Sequence, residues 1–378
     1  MKKVAINTRF LLKNKLEGFG WFTYYVSKQL AERNPNIQFY FLFDRAYDPS
    51  FVFSSNVKPI VLRPQARHPL LFRWWFNVSV TSFLKKNNID VFISPDGYLS
   101  LKTDIPQISV IHDLNFEHYP EDLKPHHSRY LRKYFPRFAQ KASDIITVSE
   151  FSKNDIIKTY KIDESKISIA FNGVSEHFKP KEETTSNPND KKPYFLFVGS
   201  IHPRKNLKRL LLAFDDFKKQ MNSAHQLLVI GDPYFWNDEM KNTLNALVFQ
   251  SDVIFKPYAS VQELIEYYQN AEALMFVSYF EGFGIPIIEA MACACPVVVA
   301  RNTACEEIAG NAAYTIDPFD YSDICNGMIS IVSNVTLRQD LILKGIERSK
   351  FFDWKKTAES VEKILYKYIS TNTSSKTN

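Results

Sequence analysis

The chain has 378 residues, of which 45% are hydrophobic, 15% aromatic and 23% charged. This composition is globular, outside the disordered and collagen-like classes, and the length suffices for two ordinary domains. The formal net charge of +6 is uneven: residues 1–180 hold 26 Lys+Arg against 17 Asp+Glu, net +9, while residues 181–378 are net −3. A basic first half points to an anionic partner: nucleic acid, a phosphorylated substrate or a membrane surface.

The four cysteines, Cys293, Cys295, Cys305 and Cys325, all lie in the last quarter. They are too few and too clustered for a secreted disulfide framework. No apolar run approaches a membrane span. Lys2 and Lys3 resemble a signal-peptide start, but Asn7, Arg9 and Lys13 interrupt the apolar stretch behind them. A cytoplasmic protein is expected.

In chain order, short apolar runs recur at 4–7, 37–43, 57–62, 90–94, 107–112, 145–148 and 167–171, with helix-period stretches at 21–33 and 126–141. The stretch 180–193 is polar and proline-punctuated and reads as a linker. The alternation then restarts with runs at 194–199, 226–231, 253–256, 273–278 and 296–300, and helical stretches at 207–221 and 261–269. Continuous apolar strands alternating with helices indicate parallel sheets covered on both faces. The fold class is therefore α/β: two doubly wound, Rossmann-like parallel-sheet domains, 1–180 and 194–350, facing a central cleft. Ligands in such sheets bind at the carboxyl ends of the strands. A helix at 351–369 and a polar tail at 370–378, expected to be disordered, complete the reading.

Chemistry-bearing residues cluster at strand ends. Glu17-Gly18-Phe19-Gly20-Trp21 follows the first strand and opens a helix; without a third glycine it is no dinucleotide fingerprint. His112 ends an apolar strand, with Asp113 as a turn residue. After the linker, a strand runs into Gly199-Ser200-Ile201-His202-Pro203-Arg204-Lys205. Paired cations at a helix N-terminus oppose its dipole, a conflict that an incoming diphosphate would remove. Phe280-Glu281-Gly282-Phe283-Gly284-Ile285-Pro286 is a strand-to-helix turn whose glycines admit close approach and whose amides face a ligand. Glu281 and Glu289, eight residues apart, can hold hydroxyls at two ends of a polyhydroxyl ligand. A bare glycine-rich turn with two solvated glutamates, and a surface Arg-Lys pair, are the plainer alternatives.

These residues resemble the retaining nucleotide-sugar glycosyltransferases of family 4, with the GT-B fold. The likeness covers about residues 3–368 and rests on several motifs. They are the E-x7-E segment Glu281 to Glu289 with Ala290-Met291-Ala292 and Cys295-Pro296-Val297-Val298; Val198-Gly199-Ser200 with Pro203-Arg204-Lys205-Asn206; Val148-Ser149-Glu150-Phe151-Ser152; and Phe171-Asn172-Gly173-Val174. His112-Asp113-Leu114 and Arg204-Lys205-Asn206 are most similar to the bacterial mannosyltransferase branch. The resemblance implies that Arg204 and Lys205 bind the donor diphosphate, that Glu289 binds the ribose, and that Glu281 contacts the donor sugar with the amides of Phe283 and Gly284. It further implies donor contacts from Gly20, Gly199, Ser200, Gly282 and Ile285, and a His112 that meets the sugar hydroxyls. Where Trp21 stands the family usually has another residue. Residues 1–180 would then be the acceptor side, 194–350 the nucleotide-sugar side, and 351–369 a helix crossing back to the first domain.

No D-x-D occurs, so the Mg²⁺ or Mn²⁺ site of the other large transferase fold is not expected. Cys293-x-Cys295 lacks a second C-x-x-C or a His pair, His126-His127 lack companions, and no G-x-x-x-x-G-K-[ST] exists. The expected activity is hexosyl transfer with retention, mannosyl favoured, from a GDP- or UDP-linked donor to a saccharide or lipid-linked acceptor in bacterial surface polysaccharide, lipopolysaccharide or glycolipid synthesis. It would need no metal and no cofactor, no nucleic-acid partner is expected, and an anionic membrane surface is, on the inner face. A GT-B-like epimerase or phosphorylase, and a non-catalytic sugar-nucleotide binder, stand as alternatives.

Overall fold

The computed structural model describes residues 1–13, 15–181, 192–232 and 236–370. Most of the 180–193 stretch and the tail expected to be disordered lie outside the described residues. The chain forms two compact units, one of Met1–Asn172 with Trp354–Asn378, the other of Gly173–Asp353.

The first unit is built on seven strands: β1 (Lys2–Asn7), β2 (Ile37–Phe43), β3 (Val57–Val61), β4 (Val91–Ser94), β5 (Gln107–Val110), β6 (Asp144–Thr147) and β7 (Ile167–Ile169). Their order is β3-β2-β1-β4-β5-β6-β7, all parallel, with Val4 of β1 opposite Phe39 on one side and Val91 on the other. All residues of β2, β4, β5 and β6 are buried, as expected for strands covered on both faces. The strand order reverses between β1 and β4, which opens a crevice beyond their carboxyl ends.

The second unit carries β8 (Tyr194–Val198), β9 (Gln226–Ile230), β10 (Val253–Lys256), β11 (Ala273–Phe276), β12 (Val297–Ala300) and β13 (Tyr314–Ile316). Their order is β10-β9-β8-β11-β12-β13, again all parallel, with the reversal between β8 and β11. β13 has no counterpart among the apolar runs read from the sequence. It has only three residues, too few for a pattern, and exists because Val298, Val299 and Ala300 offer Tyr314, Thr315 and Ile316 a free strand edge.

The domain limits move for a physical reason. The segment after Asn172 works within the second unit: Val174 N donates to Phe352 O at 3.2 Å, Gln269 Nε2 donates to Lys179 O at 2.8 Å, and Phe178 packs edge-on against Tyr268. The first unit therefore ends at 172 rather than 180, and the second reaches 353 rather than 350. The helix Trp354–Ser370 belongs to the first unit, where Trp354 stacks on Tyr25 with ring centroids 4.7 Å apart. Arg33 ties Glu359 and Glu362 there at 3.0 Å each, and Thr357 Oγ1 donates to Phe171 O.

Candidate functional site

In the second unit the loop after β8 and the loop after β11 meet at the strand-order reversal. Arg204 Nη1 lies 2.7 Å from Glu281 Oε2, and Lys205 Nζ lies 2.5 Å from Glu281 Oε1. Arg204 Nη1 also donates to Phe280 O, and Tyr279 N donates to Arg204 O, so backbone and side chain lace the two loops together. Glu281 is 5% exposed. Burial pushes its carboxyl up, but the two adjacent cations more than offset this and hold it below the ordinary value. Glu281 is thus an ionised carboxylate shared by two cations, not a solvated surface glutamate.

This corrects one expectation. Arg204 and Lys205 sit in a one-turn 3₁₀ segment, Pro203–Lys205, ahead of the helix Leu207–Met221. Their charge near that helix start is answered within the chain by Glu281, before any diphosphate arrives. Two cations against one carboxylate still leave the trio net positive.

The supporting shell explains the motif spacing. Gly231 is required by close approach: a Cβ there would lie 1.9 Å from Gly199 O. The Lys205 stem runs over Gly199, whose φ is +144°, and its ammonium lies 4.7 Å from the Phe276 ring centroid. Ser200 follows, partly exposed. Asn206, left without a role by the sequence reading, is buried in the left-handed conformation at φ 64°. Its Nδ2 donates to Val277 O at 3.1 Å and Pro318 O at 2.6 Å, fastening the loops that follow β11 and β13. His202, also overlooked, caps the 3₁₀ turn through Nδ1. Burial, then the neighbouring Arg204, brings its pKa down to about 4, so it is neutral at physiological pH.

Gly282 and Phe283 are buried, Phe283 edge-on against Phe352 at 5.5 Å, and Gly284 is the N-cap of the helix Ile285–Ala292 at φ 94°. A Cβ on Gly284 would meet Ile287 Cδ1 at 2.8 Å. Ile285 and Pro286 open the helix, where amides lack intrahelical partners. Glu289, partly buried on that helix, is engaged with Tyr268 rather than with the cations: Tyr268 Oη donates to Glu289 Oε2 at 3.0 Å. Burial raises the Glu289 carboxyl to about 7, and the Tyr268 hydrogen bond opposes that only in part. Tyr268 is wholly buried and escaped the sequence reading, because nothing in sequence links residues 21 apart on different helices.

In the first unit, the start of the helix that carries Gly20 lies against His112. The helix Gly18–Arg33 begins at the glycine loop, and its Phe19 and Phe22 rings lie 4.7 and 5.2 Å from the His112 ring. His112 Nε2 lies 2.8 Å from Pro95 O, and burial holds its pKa below the usual histidine value, so the neutral ring donates from Nε2 and leaves Nδ1 as acceptor. Trp21 stacks on Tyr25, which itself stacks on Trp354. At the β1/β4 reversal lies a cluster the sequence reading missed. Arg9 Nε donates to Asp96 Oδ2 at 2.6 Å, Asn7 Nδ2 to the same oxygen at 2.9 Å, and the Arg9 guanidinium lies over the Tyr98 ring at 4.6 Å.

Among the described residues no three His, Cys, Asp or Glu side chains group as metal ligands, and no helix is long and apolar enough to cross a membrane. All four cysteines are free and buried; beside Glu281, burial pushes the Cys305 thiol up to about 12.

Two family models match successive parts of the chain: Glycosyltransferase Family 4 over residues 16–178 and Glycosyl transferases group 1 over residues 178–348. The O-antigen chain mannosyltransferase RfbU of Salmonella typhimurium is 32% identical over 275 residues, 71% of each chain. The O-antigen chain mannosyltransferase B of Escherichia coli is 25% identical, over 70% of this chain and 71% of its own. Among solved structures, sucrose-phosphate synthase from Thermosynechococcus elongatus superposes with a TM-score of 0.80 at 16% identity, covering 98% of this chain and all of its own; at that identity the likeness speaks for the fold.

Proposed function

This chain is a glycosyltransferase of family 4, in the mannosyltransferase-like branch with the GT-B fold, and from that footing we propose that it moves a mannosyl group from a nucleoside-diphosphate sugar to an acceptor hydroxyl, with retention. The observation that carries this reading is the Arg204–Glu281–Lys205 trio at the β8/β11 reversal. It is a net-positive, preformed cradle where parallel sheets bind ligands. The O-antigen relatives support an acceptor that is a growing surface-polysaccharide chain, carried on a saccharide or lipid.

In the proposed step the bond from the sugar's anomeric carbon to the diphosphate oxygen breaks, and its electron pair stays on that oxygen. The acceptor oxygen bonds the same carbon from the same face, and its proton passes to the departing phosphate oxygen. Arg204 and Lys205 stabilise the charge that builds there, a task worth several kcal/mol, on the order of 3, per well-placed donor. Glu281 holds both cations at fixed positions before the donor enters, so little reorganisation is left for the reaction. Glu289, on a tyrosine-held carboxyl, receives the ribose hydroxyls, and the turn from Gly282 to Ile285 supplies amides to the sugar. His112 meets the transferred sugar through Nδ1, since Nε2 is committed to Pro95. Two cations doing the work of a divalent ion make the reaction independent of metal.

The test is a thermal-shift screen of GDP-, UDP- and ADP-sugars, followed by product analysis with the donor that stabilises most. GDP-mannose is expected to stabilise, and the new glycosidic bond to keep the donor's anomeric configuration by NMR. An inverted product contradicts retention; stabilisation by another sugar nucleotide alone contradicts the mannosyl assignment; donor conversion without acceptor leaves the epimerase reading instead.

A further inference from the structure

The helical run from Pro69 to Lys86 has two faces of different character. Its inner face buries Phe72, Trp75, Phe76, Val80 and Leu84, and Trp75 Nε1 donates to Leu62 O at 3.0 Å. Its outer face leaves Leu70, Leu71, Trp74 and Val78 exposed, Leu70 at 66% and Trp74 at 57%. The spacing of three and four residues puts these side chains on one ridge. Adjacent tryptophans thus divide the work: Trp75 anchors the helix and Trp74 stands in solvent.

The surroundings of the ridge are cationic. The helix Pro125–Lys141 lies beside it, and Arg73, Lys133 and Arg137 gather around the single Tyr134 ring at 5.5, 5.8 and 5.5 Å. Neither 69–86 nor 125–141 contains an Asp or Glu. Arg132 and Lys141 reach carboxylates elsewhere, Glu117 and Asp104. Among the described residues, Arg67, Arg73, Lys85, Lys86, Lys133 and Arg137 form no ion pair, although all are exposed. Six unanswered cations and an unburied apolar ridge on one unit would each be unfavourable in water for a protein with no use for them.

We propose that this face, the ridge Leu70, Leu71, Trp74 and Val78 with Arg73, Lys133 and Arg137, docks the first unit onto an anionic phospholipid bilayer. The apolar side chains would enter the boundary between headgroups and acyl chains, where an indole is well placed, while guanidinium and ammonium groups meet lipid phosphates. A nucleic acid would leave the convex Leu–Leu–Trp–Val ridge unburied. A second copy of this chain would bring like charges together. Only a surface both anionic and apolar answers both features. Such docking brings the enzyme to acceptors carried on lipid; that consequence rests on the proposed function, whereas the docking does not.

The experiment is co-sedimentation of the full chain with vesicles of phosphatidylglycerol and phosphatidylcholine, against phosphatidylcholine alone, at low and high salt, with tryptophan emission followed in parallel. Binding to the anionic vesicles that weakens with salt, with a blue shift that Trp74→Phe removes, is expected. Arg73→Glu/Arg137→Glu and Leu70→Ser/Trp74→Ser should each weaken binding by about tenfold or more, with melting and nucleoside-diphosphate binding unchanged because none of these residues is in the core or the donor site. No binding to anionic vesicles at low salt overturns the proposal. So does binding indifferent to both double variants, preferential binding of an oligonucleotide by the same face, or a stable dimer that Trp74→Ser dissolves. Docking with no sugar transfer would instead fault the functional assignment, and transfer without docking would fault this one.

Discussion

Tyr268 and Glu289 form a donor–acceptor pair, wholly buried phenol to partly buried carboxylate at 3.0 Å, joining the helix Val261–Asn270 to the helix Ile285–Ala292. The phenol fixes one carboxyl oxygen and leaves the other for an incoming hydroxyl. Because burial lifts the Glu289 carboxyl to about 7, the pair also couples the state of this helix to pH.

That coupling has a definite sign. The Glu289 pKa is raised in the folded protein, to about 7, above its value in the unfolded chain. The unfolded chain therefore releases this proton first, and stability falls as pH rises from the ordinary carboxyl range to about 7. Glu289→Gln should remove that slope, so that the variant gains about 1–3 kcal/mol on wild type between about pH 4.5 and 8. Urea midpoints for both proteins across the range measure it; a constant gap would contradict the account. Tyr268→Phe should weaken binding of free nucleoside diphosphate about three- to tenfold, the worth of one orienting hydrogen bond, while Glu281→Gln should chiefly damage transfer.

Arg204→Ala and Lys205→Ala should each lower turnover on the order of 10²-fold, by loss of groups that meet the leaving diphosphate. Each single variant leaves Glu281 one cation and should fold. The double variant strands a buried carboxylate and should lose about 3–5 kcal/mol. Steady-state rates and denaturation of the three proteins separate the catalytic loss from the structural one, and single-variant rates within about twofold of wild type would remove the diphosphate role.

Activity should persist in excess EDTA. If chelation abolishes turnover and Mn²⁺ or Mg²⁺ restores it, the two cations do not replace a metal ion.

Gly231→Ala should be severe, since its new methyl would overlap the Gly199 carbonyl, and backbone just past the end of β8 cannot yield as a side chain can. Poor solubility or a stability loss of about 3 kcal/mol or more is expected. Gly18→Ala, with nothing within 4 Å of the new methyl, is the control and should be tolerated. Equal behaviour of the two in a denaturant melt would show that the close approach at Gly231 is not rigid.

Strands buried on both faces were plain in the sequence because a run as short as Ile37–Phe43, apolar but for Gln38 and rich in aromatic residues, suits a covered strand better than a helix. The Glu281 turn was equally plain, since glycine, proline and carboxylates are punctuation whose meaning is local. What escaped depends on meetings across the chain. Arg9 and Asp96 are 87 residues apart and become partners only when β1 and β4 pair. Glu281 answers Arg204 only when the loops after β8 and β11 converge. The different fates of Trp74 and Trp75 follow from helix rotation against Leu62, which adjacent identical residues cannot reveal. β13, three residues long, borrows its form from β12.

The chain leaves the first unit at Asn172 and returns to it at Trp354. During synthesis the whole second unit therefore emerges before the first has its final helix. Until Trp354 arrives, Tyr25 lacks one of its stacking partners and Arg33 its two glutamates, so the part of Gly18–Arg33 that they cover stays open to water. The contiguous unit can mature first, and the interrupted one must wait as an incomplete, sticky intermediate. Completion of the first unit thus depends on a single late event, the docking of one amphipathic helix.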